Sequence, residues 1–264
     1  MKMYDDEDQI LSTFRLVTFL NLNVVMFGNW FKCKRILNSL KCIFTKGNWI
    51  NSSAKSDPPP DFYNNKQKLM MDMMIVEDNS FKNKKGKLVN TTKQREKELL
   101  KEYIGDSLND RDDIQVFMAV SSGKPTNEDH NFDRYLKNFK RVVENHNDKI
   151  PEYQKNHPNF KTILFVFDQS CAYIEVENKK DLHVNKIGYA QKGKPHCCFI
   201  DKNFVDIIKQ LNADYLIWFA PYKLLYKTNN KKVRIPKCAI YDIKNIKEKH
   251  LHNYNIEMMK SGEL

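Results

Sequence analysis

The sequence predicts an α/β protein with a mixed, largely buried central sheet flanked by helices, and with a partly helical N-terminal extension. Two observations carry this prediction. Residues 163–167 and 214–220 are near-continuous apolar runs, as strands buried on both faces of a sheet require. Between residues 127 and 153, apolar side chains repeat at intervals of three and four, which is the pattern of an amphipathic helix. Strands and helices that alternate along one chain are typical of the α/β class.

The composition is that of a folding chain with an excess of positive charge. The chain has 264 residues, of which 41% are hydrophobic, enough for a buried core. Lys and Arg number 44 against 33 Asp and Glu, a formal net charge of +11. That excess favours a polyanionic partner, which is DNA or RNA or an anionic membrane surface. A general bias towards Lys, Asn and Ile explains the same charge, and both interpretations stay open.

A run of three prolines divides the sequence. The prolines lie within residues 51–61 and cannot continue a helix. They predict a basic and apolar N-terminal extension over residues 1–56, followed by an α/β domain over residues 57–264. Within the extension, residues 31–44 fit an amphipathic helix.

The apolar stretch at residues 14–31 is not predicted to cross a membrane. It contains Arg15 and three asparagines, whereas a spanning helix needs about 20 mostly apolar residues. Peripheral attachment of this stretch together with the lysines that follow it stays open.

The remaining elements follow from apolar periodicity and from helix-capping and turn residues. They are a helix at 62–76, a helix from Thr91 or Thr92 to Tyr103, a strand at 114–120, a helix at 127–153, strands at 163–167 and 172–179, a helix at 201–211 with Asp201 as N-cap, and strands at 214–220 and 233–243. The tail from residue 244 onwards is predicted to be helical or loose.

The cysteines indicate a reducing compartment. None of the 6 cysteines stands in a CxxC pair, and several lie inside apolar runs. A disulfide framework or a zinc site needs closer and more regular spacing. We therefore expect reduced thiols and a cytoplasmic protein.

Residues 161–180 are the stretch where several residue types suggest chemistry together. Asp168 ends the apolar run, and the alternation after it places Tyr173, Glu175, Glu177 and Lys179 on one face of the next strand. Carboxylates that converge at a strand edge suit Mg²⁺ or Mn²⁺. Such an ion would activate water and neutralise charge on a scissile phosphate, while a lysine would stabilise the transition state.

Asp168, Glu177 and Lys179 stand in the order D-x8-E-x-K. Over residues 161–180 this pattern resembles the PD-(D/E)xK nuclease superfamily. The resemblance implies a metal-dependent nuclease that acts on nucleic-acid phosphodiesters, with Asp168, Glu177 and Lys179 as catalytic residues. It also implies a helical glutamate, and Glu175 competes with Glu177 for the metal. The implied metal ligands are Asp168, Glu175, Glu177 and Glu96 or Glu98.

Non-catalytic interpretations stay open beside the nuclease. The same alternation is typical of an edge strand with a solvated, charged face. A nucleic-acid-binding protein without catalysis would set basic loops against phosphates. A protein-interaction or membrane-peripheral factor would use residues 1–56 as its working surface. The basic residues predicted to bind nucleic acid are Lys84, Lys85, Lys192 and Lys231.

Overall fold

The computed structural model describes most of the chain. The described residues are 7–19, 23–43, 48–52, 59–78, 80–82, 85, 88–90, 130–183, 193–223, 225–226, 232–233 and 235–262. The predicted helix that starts at Thr91 or Thr92 and the predicted strand at 114–120 lie outside these residues.

The described chain contains α-helices, short 3-10 turns and strands in mixed order. The α-helices are α1 (Glu7–Thr18), α2 (Trp30–Lys41), α3 (Phe132–Asn147), α4 (Ile150–Asn156) and α5 (Lys202–Ile208). The strands are β1 (Val24–Phe27), β2 (Ile50–Asn51), β3 (Phe62–Asn64), β4 (Leu69–Val76), β5 (Ser80–Lys82), β6 (Leu88–Asn90), β7 (Lys161–Asp168), β8 (Tyr173–Glu175), β9 (Lys194–Pro195), β10 (Tyr215–Phe219), β11 (Leu225–Tyr226), β12 (Lys232–Val233), β13 (Cys238–Asp242) and β14 (Met259–Ser261). The 3-10 turns are Lys179–His183, Cys198–Ile200, Ile243–Asn245, Glu248–His250 and Ile256–Met258.

A seven-stranded mixed sheet organises the described residues, and β7 is its middle strand. The spatial order is β1-β13-β10-β7-β4-β3-β2. β7 pairs in parallel with β4 on one side and β10 on the other. β3 and β13 add antiparallel neighbours, so the sheet is mixed, as predicted. The predicted α/β class is confirmed.

The middle strand is buried because each of its two faces meets a different layer of helices. Leu164 and Val166 belong to the core that includes residues of α3, α4 and α5, while Phe165 and Phe167 belong to the core that includes residues of α1 and α2. Successive side chains of a strand point to opposite faces, so the apolar run at 163–167 feeds both cores. The prediction of a strand buried on both faces is confirmed.

The long amphipathic helix predicted at 127–153 is two helices in the structure. Asn131 caps α3, since its side chain accepts a hydrogen bond from the Arg134 backbone N–H at 3.1 Å. α3 buries Tyr135, Phe139 and Val143 at intervals of four. Pro151 lies in the first turn of α4, a position that tolerates proline, whereas proline inside a continuous helix would lose a hydrogen bond.

The predicted helix at 62–76 is wrong, because this segment forms β3, a turn and β4. All residues of β4 except Ile75 are buried. A strand covered on both faces has no alternation of polar and apolar residues. Methionine has a high helix propensity, so the apolar spacing of this segment also fits a helix. At the turn, the Asn64 side chain accepts a hydrogen bond from the Gln67 backbone N–H at 3.0 Å.

Several other predicted elements occur with changed lengths. The helix at 31–44 is α2, and the helix at 201–211 is α5, capped by Asp201 through the Asn203 backbone N–H at 2.9 Å. The strand at 214–220 is β10. The strand at 233–243 is shortened to β13, apart from β12, which ends at Val233, and the tail forms 3-10 turns and β14.

The N-terminal residues share the central sheet with the rest of the chain. β1 pairs in parallel with β13, and α1 and α2 contribute Phe14, Ile36 and Leu37 to the core on one face of the sheet. The division into 1–56 and 57–264 stays a prediction, but strands from both segments belong to one sheet. No helix among the described residues is long and apolar enough to cross a bilayer.

Replacement of a core leucine in the middle strand tests this arrangement. Leu164 is fully buried and Leu16 is 81% exposed. We expect Leu164→Ala to lower the free energy of unfolding by about 2–5 kcal/mol, because a cavity replaces packed methyl groups. Leu16→Ala, the same chemical change at the surface, is expected to change it by less than about 0.5 kcal/mol. Urea unfolding followed by tryptophan fluorescence measures both, and equal effects would contradict the assignment of β7 as the central strand.

Candidate functional site

The predicted site residues Asp168, Glu175, Glu177 and Lys179 lie in two different parts of the structure. Asp168 ends β7 in the central sheet, whereas Glu175 belongs to β8, which pairs with β9 and β14 in a separate small sheet. Glu175 accepts a hydrogen bond from the Asn255 backbone N–H at 2.7 Å. Lys179 forms an exposed ion pair of 3.2 Å with Glu257.

The strand after β7 is not its partner in the sheet, and this separates Asp168 from the other predicted residues. The neighbours of β7 are β4 and β10. Glu177 is exposed beyond the end of β8. Tyr173, predicted on the solvated face, is buried. The regular alternation predicted to residue 179 therefore ends at Glu175, and the hydrogen bonds of Asp168 go to a different set of side chains.

Most of the other predicted site residues cannot be placed. Glu96, Glu98, Lys84, Lys192 and Lys231 lie outside the described residues. Lys85 is described and exposed.

The Asp168 carboxylate is closed off from solvent by donors from four segments. Oδ2 accepts hydrogen bonds from the Tyr135 hydroxyl at 2.5 Å and from the Trp218 indole N–H at 2.8 Å. Oδ1 accepts from the backbone N–H and the hydroxyl of Ser170 at 2.9 and 2.6 Å. The Lys223 ammonium lies 3.4 Å from Oδ2.

Lys223 is the cation of this cluster and is as buried as the carboxylate it faces. The two side chains are 2% and 0% exposed. The ammonium donates to the Ser170 hydroxyl at 2.6 Å and to the Cys171 carbonyl at 3.1 Å, and it lies 4.5 Å from the centre of the Tyr135 ring. Burial is the largest single influence on the pKa of Lys223 and lowers it, but the acidic groups around the ammonium, Asp168 first among them, together outweigh burial and the pKa is raised. Lys223 is therefore charged.

A second buried carboxylate, Asp78, follows the neighbouring strand β4. Its Oδ2 accepts from the Cys171 backbone N–H at 3.0 Å and from the Tyr173 hydroxyl at 2.7 Å. His130 Nδ1 lies 3.3 Å from Oδ1. Burial would raise the pKa of Asp78, but the bonds from His130, Tyr173 and Cys171 lower it below its ordinary value. Asp78 is thus a carboxylate.

The two carboxylates are held in matching ways. Asp168 binds the amide of Ser170 and Asp78 binds the next amide, that of Cys171. Each also takes one tyrosine hydroxyl, and the rings of those tyrosines, Tyr135 and Tyr173, stack with centres 5.8 Å apart. The carboxylates therefore fix the path of the chain as it leaves β7.

A third buried pair stands near this cluster. His196 Nε2 lies 2.8 Å from Asp201 Oδ2, and both residues are buried. Burial lowers the pKa of His196, against the opposing effect of Asp201. Since Asp201 also caps α5, this pair connects the segment after β9 to the start of that helix.

The carboxyl ends of β4, β7 and β10 form the candidate site. In α/β sheets, ligands bind outside the carboxyl ends of parallel strands, and Asp78, Asp168 and Lys223 are delivered to that position. Lys223 pairs with Asp168, Asp78 contacts His130 and Tyr173, and all three side chains at the strand ends are buried. This closed network can hold charge and fix the strand ends, but it does not present Asp168 to a macromolecular substrate.

Part of this network has a signal in the sequence. The strand predicted at 214–220 is followed closely by Lys223, and once this strand is known to pair in parallel with β7, the rule for carboxyl ends of parallel strands places that lysine beside Asp168. The sequence predicts Asp78 at the end of a helix, where it would be a possible metal ligand or a solvated residue. Its buried position beside the end of β7 is not predicted, because β4 was not recognised as a strand.

A different kind of surface covers the helical layer on the other face of the sheet. Four large apolar side chains of this layer are exposed: Leu16 (81%), Phe19 (73%), Trp30 (50%) and Phe31 (79%). We name these residues, together with the basic residues Arg15, Lys32, Lys34, Arg35 and Lys41, the α1–α2 surface. α1 also carries Glu7 and Asp8 in its first turn, but the residues around the exposed apolar groups are mainly basic. Exposed apolar groups of this size are typical of interaction sites.

Comparisons with protein-family models, with curated proteins and with solved structures found no match to this chain. The features that bear on function are therefore the buried network at the strand ends and the α1–α2 surface.

Removal of the Asp168 charge tests the ion pair. Asp168→Asn leaves the Lys223 ammonium buried without its carboxylate, which is expected to cost about 3–5 kcal/mol of unfolding free energy. Glu177→Gln makes the same chemical change on an exposed side chain and is expected to change stability by less than about 0.5 kcal/mol. The double variant Asp168→Asn/Lys223→Met should recover part of the loss in urea unfolding. A single Asp168→Asn variant as stable as the parent would contradict a charged pair.

Acid titration tests Asp78. Because its pKa is lower in the folded than in the unfolded chain, its contribution to stability is complete above the unfolded value of about 3.9 and disappears as the pH falls through the folded pKa. Asp78→Asn should therefore show a smaller loss of stability between pH 5 and pH 2, as read from urea midpoints, and should be less stable than the parent at neutral pH. An identical pH dependence of parent and variant would contradict a lowered pKa of Asp78 in the folded chain.

Proposed function

We propose that the protein binds anionic membrane surfaces peripherally through the α1–α2 surface, with the central sheet as a rigid support. One observation carries the proposal. α2 contains four basic residues and no acidic residue, and it begins with two exposed aromatic side chains, Trp30 and Phe31. Helices that lie in the membrane interface combine Lys and Arg with Trp, Phe and Leu in this way.

The buried face of α2 packs on the central sheet and thereby fixes the position of its exposed face. Cys33, Ile36, Leu37 and Leu40 are buried against the sheet. Lys34 and Arg35 point outward and are exposed. The helix is packed on the sheet through its buried apolar side chains, so its exposed side chains are already held in place. Binding through them costs little conformational entropy.

Exposed apolar groups stand at both ends of this helical layer. The Lys41 ammonium donates to the Phe19 carbonyl at 3.0 Å, so the end of α1 adjoins the end of α2. Trp30 begins α2 and Lys41 ends it, which separates them by about 16 Å along the axis. Exposed apolar groups therefore stand near both ends of α2.

Details of the aromatic pair favour lipid over nucleic acid. The Lys34 ammonium lies 4.5 Å from the centre of the Trp30 ring, and Phe31 meets Trp30 edge to face at 5.2 Å. The Lys34 ammonium covers one face of the Trp30 ring, so that face is not open to a stacked base. Leu16 has no role in phosphate binding, whereas in the interface an aliphatic chain is buried and a lysine above an aromatic ring reaches the headgroups.

Vesicle binding tests the proposal. We expect the protein to co-sediment with vesicles of phosphatidylcholine and phosphatidylserine, and to bind more weakly as salt is raised or when phosphatidylserine is omitted. Each basic residue near the surface contributes about 1 kcal/mol, so Lys34→Gln/Arg35→Gln should weaken binding roughly 25-fold. Trp30→Ala/Phe31→Ala should weaken it at every salt concentration.

A matched control uses two basic residues of another helix. Lys137 and Lys140 on α3 are exposed, so Lys137→Gln/Lys140→Gln removes the same charge elsewhere and should leave vesicle binding nearly unchanged. Point variants are required, because deletion of residues 1–56 would also remove β1 and the α1–α2 layer. Equal losses in both charge variants, or binding to oligonucleotides but not to vesicles, would overturn the proposal.

The metal-dependent nuclease predicted from the sequence is a second proposal. The charge of +11 favours a DNA or RNA substrate, whereas the complete burial of Asp168 requires that any catalytic group be more accessible than this carboxylate. Its test is cleavage of DNA and RNA with Mg²⁺ or Mn²⁺. Glu177 and Lys179 are exposed, so Glu177→Gln/Lys179→Gln can be made without disturbing the core. Activity that survives this double change would exclude both residues from catalysis.

A further inference from the structure

We propose that Asp78, His130 and Cys171 form a binding site for a divalent cation of the zinc class. One ligand atom from each of these residues, a carboxylate oxygen, a ring nitrogen and the sulfur, lies within 4.8 Å of the other two. Ligand atoms around a tetrahedral zinc stand roughly 3.3–3.8 Å apart, given metal–ligand bonds of 2.0–2.3 Å. Asp78 Oδ1 and His130 Nδ1 are already at 3.3 Å, so small side-chain movements complete the geometry.

Three segments that are far apart in the sequence deliver these ligands. Asp78 follows β4 and Cys171 follows β7, the adjacent parallel strand. His130 stands directly before the N-cap of α3 and has a φ of +55°. The left-handed region is uncommon for residues other than glycine, and it is from this conformation that the His130 ring reaches Asp78.

The charges around the cluster balance when a divalent cation is present. Asp78 as a carboxylate and Cys171 as a thiolate supply two negative charges, and neutral His130 adds a nitrogen donor. The nearby Lys223 ammonium is matched by Asp168. Binding therefore leaves the buried region neutral overall, which avoids the cost of an unpaired buried charge.

Metal binding requires Cys171 as a thiolate, and the bound cation itself stabilises that form. The Lys223 ammonium donates to the Cys171 carbonyl at 3.1 Å, which fixes the backbone that carries this ligand. On binding, the thiol proton leaves to solvent and the sulfur–metal bond replaces the S–H bond. The Cys171 sulfur lies 3.3 Å from the Ser261 hydroxyl oxygen, which places a further polar group, or a water in its place, near the fourth position.

The donor set discriminates between cations. A thiolate and an imidazole suit Zn²⁺, whereas Mg²⁺ and Ca²⁺ require oxygen donors. The site therefore differs from the Mg²⁺ or Mn²⁺ site predicted from Asp168 and the glutamates. It is also independent of the α1–α2 surface, since it lies at the strand ends and shares no residue with that surface.

Cobalt titration tests this site on the full chain. Co²⁺ replaces Zn²⁺ and gives a thiolate-to-cobalt charge-transfer band when a cysteine is a ligand. We expect the parent to bind Co²⁺ at one site with this band, Zn²⁺ to displace it, and Mg²⁺ to have no effect. Cys171→Ser should abolish the band. Cys42→Ser changes a cysteine outside the cluster and should retain it.

A second variant keeps the test valid if Cys171→Ser does not fold. His130 is the least buried of the three ligands, so His130→Gln should preserve the fold, as judged by its circular dichroism, and should weaken Zn²⁺ binding markedly. In the same preparations, Zn²⁺ should raise the melting temperature of the parent and of Cys42→Ser but not of His130→Gln. No stoichiometric Co²⁺ or Zn²⁺ binding by the parent, or binding unchanged in His130→Gln, would overturn the proposal.

Discussion

The buried ion pair between Asp168 and Lys223 is the constraint on which the carboxyl ends of the central strands depend. Neither charge reaches solvent, so each is tolerated in the interior through the other and through donors from Tyr135, Trp218 and Ser170. Buried pairs of this kind do not necessarily add stability, but they penalise any arrangement in which one partner is missing. The pair thus selects one conformation for the residues after β7 and β10.

This requirement separates the molecule into a closed and an open side. At the strand ends, acids, tyrosines, histidines and Lys223 are satisfied by one another. Across the sheet, the α1–α2 layer is packed inside but leaves large apolar side chains in water. Exposed apolar surface weakens solubility unless a partner covers it, so the α1–α2 layer is suited to binding a partner. The strand ends, where polar groups face one another, are suited to holding an ion.

The fold class and the middle strand were predictable from sequence because they follow from local patterns. The run at 163–167 has no polar residue, and a strand between two helical layers is the way to bury it. The prediction of a helix at 62–76 is wrong, since methionine-rich apolar runs fit strands and helices equally well when both faces are covered. Pro151 is a signal for the break between α3 and α4. The apolar periodicity continues on both sides of this proline, however, and it predicts one long helix.

The candidate site was predictable only in its central residue. Asp168 stood out as a carboxylate at the end of an apolar run, but its partners come from α3, β10 and the segment after β10. No spacing rule connects Asp168 to Lys223, because their proximity depends on the parallel pairing of β7 with β10. Asp78 required in addition that β4 be recognised as a strand. The local pattern D-x8-E-x-K predicts partners for Asp168 on and after β8. That strand is near in sequence but belongs to another sheet.

The parallel pairing of β4 with β7 has a kinetic consequence. The register joins Leu69 to Lys161 and Val76 to Asp168, so the centre of the sheet closes between segments that are far apart along the chain. Such non-local pairing requires the loss of loop entropy before any contact is gained, and chains of this topology fold slowly. Until the two strands meet, the long apolar run of β7 is exposed, which makes the newly synthesised chain dependent on rapid collapse or on chaperones.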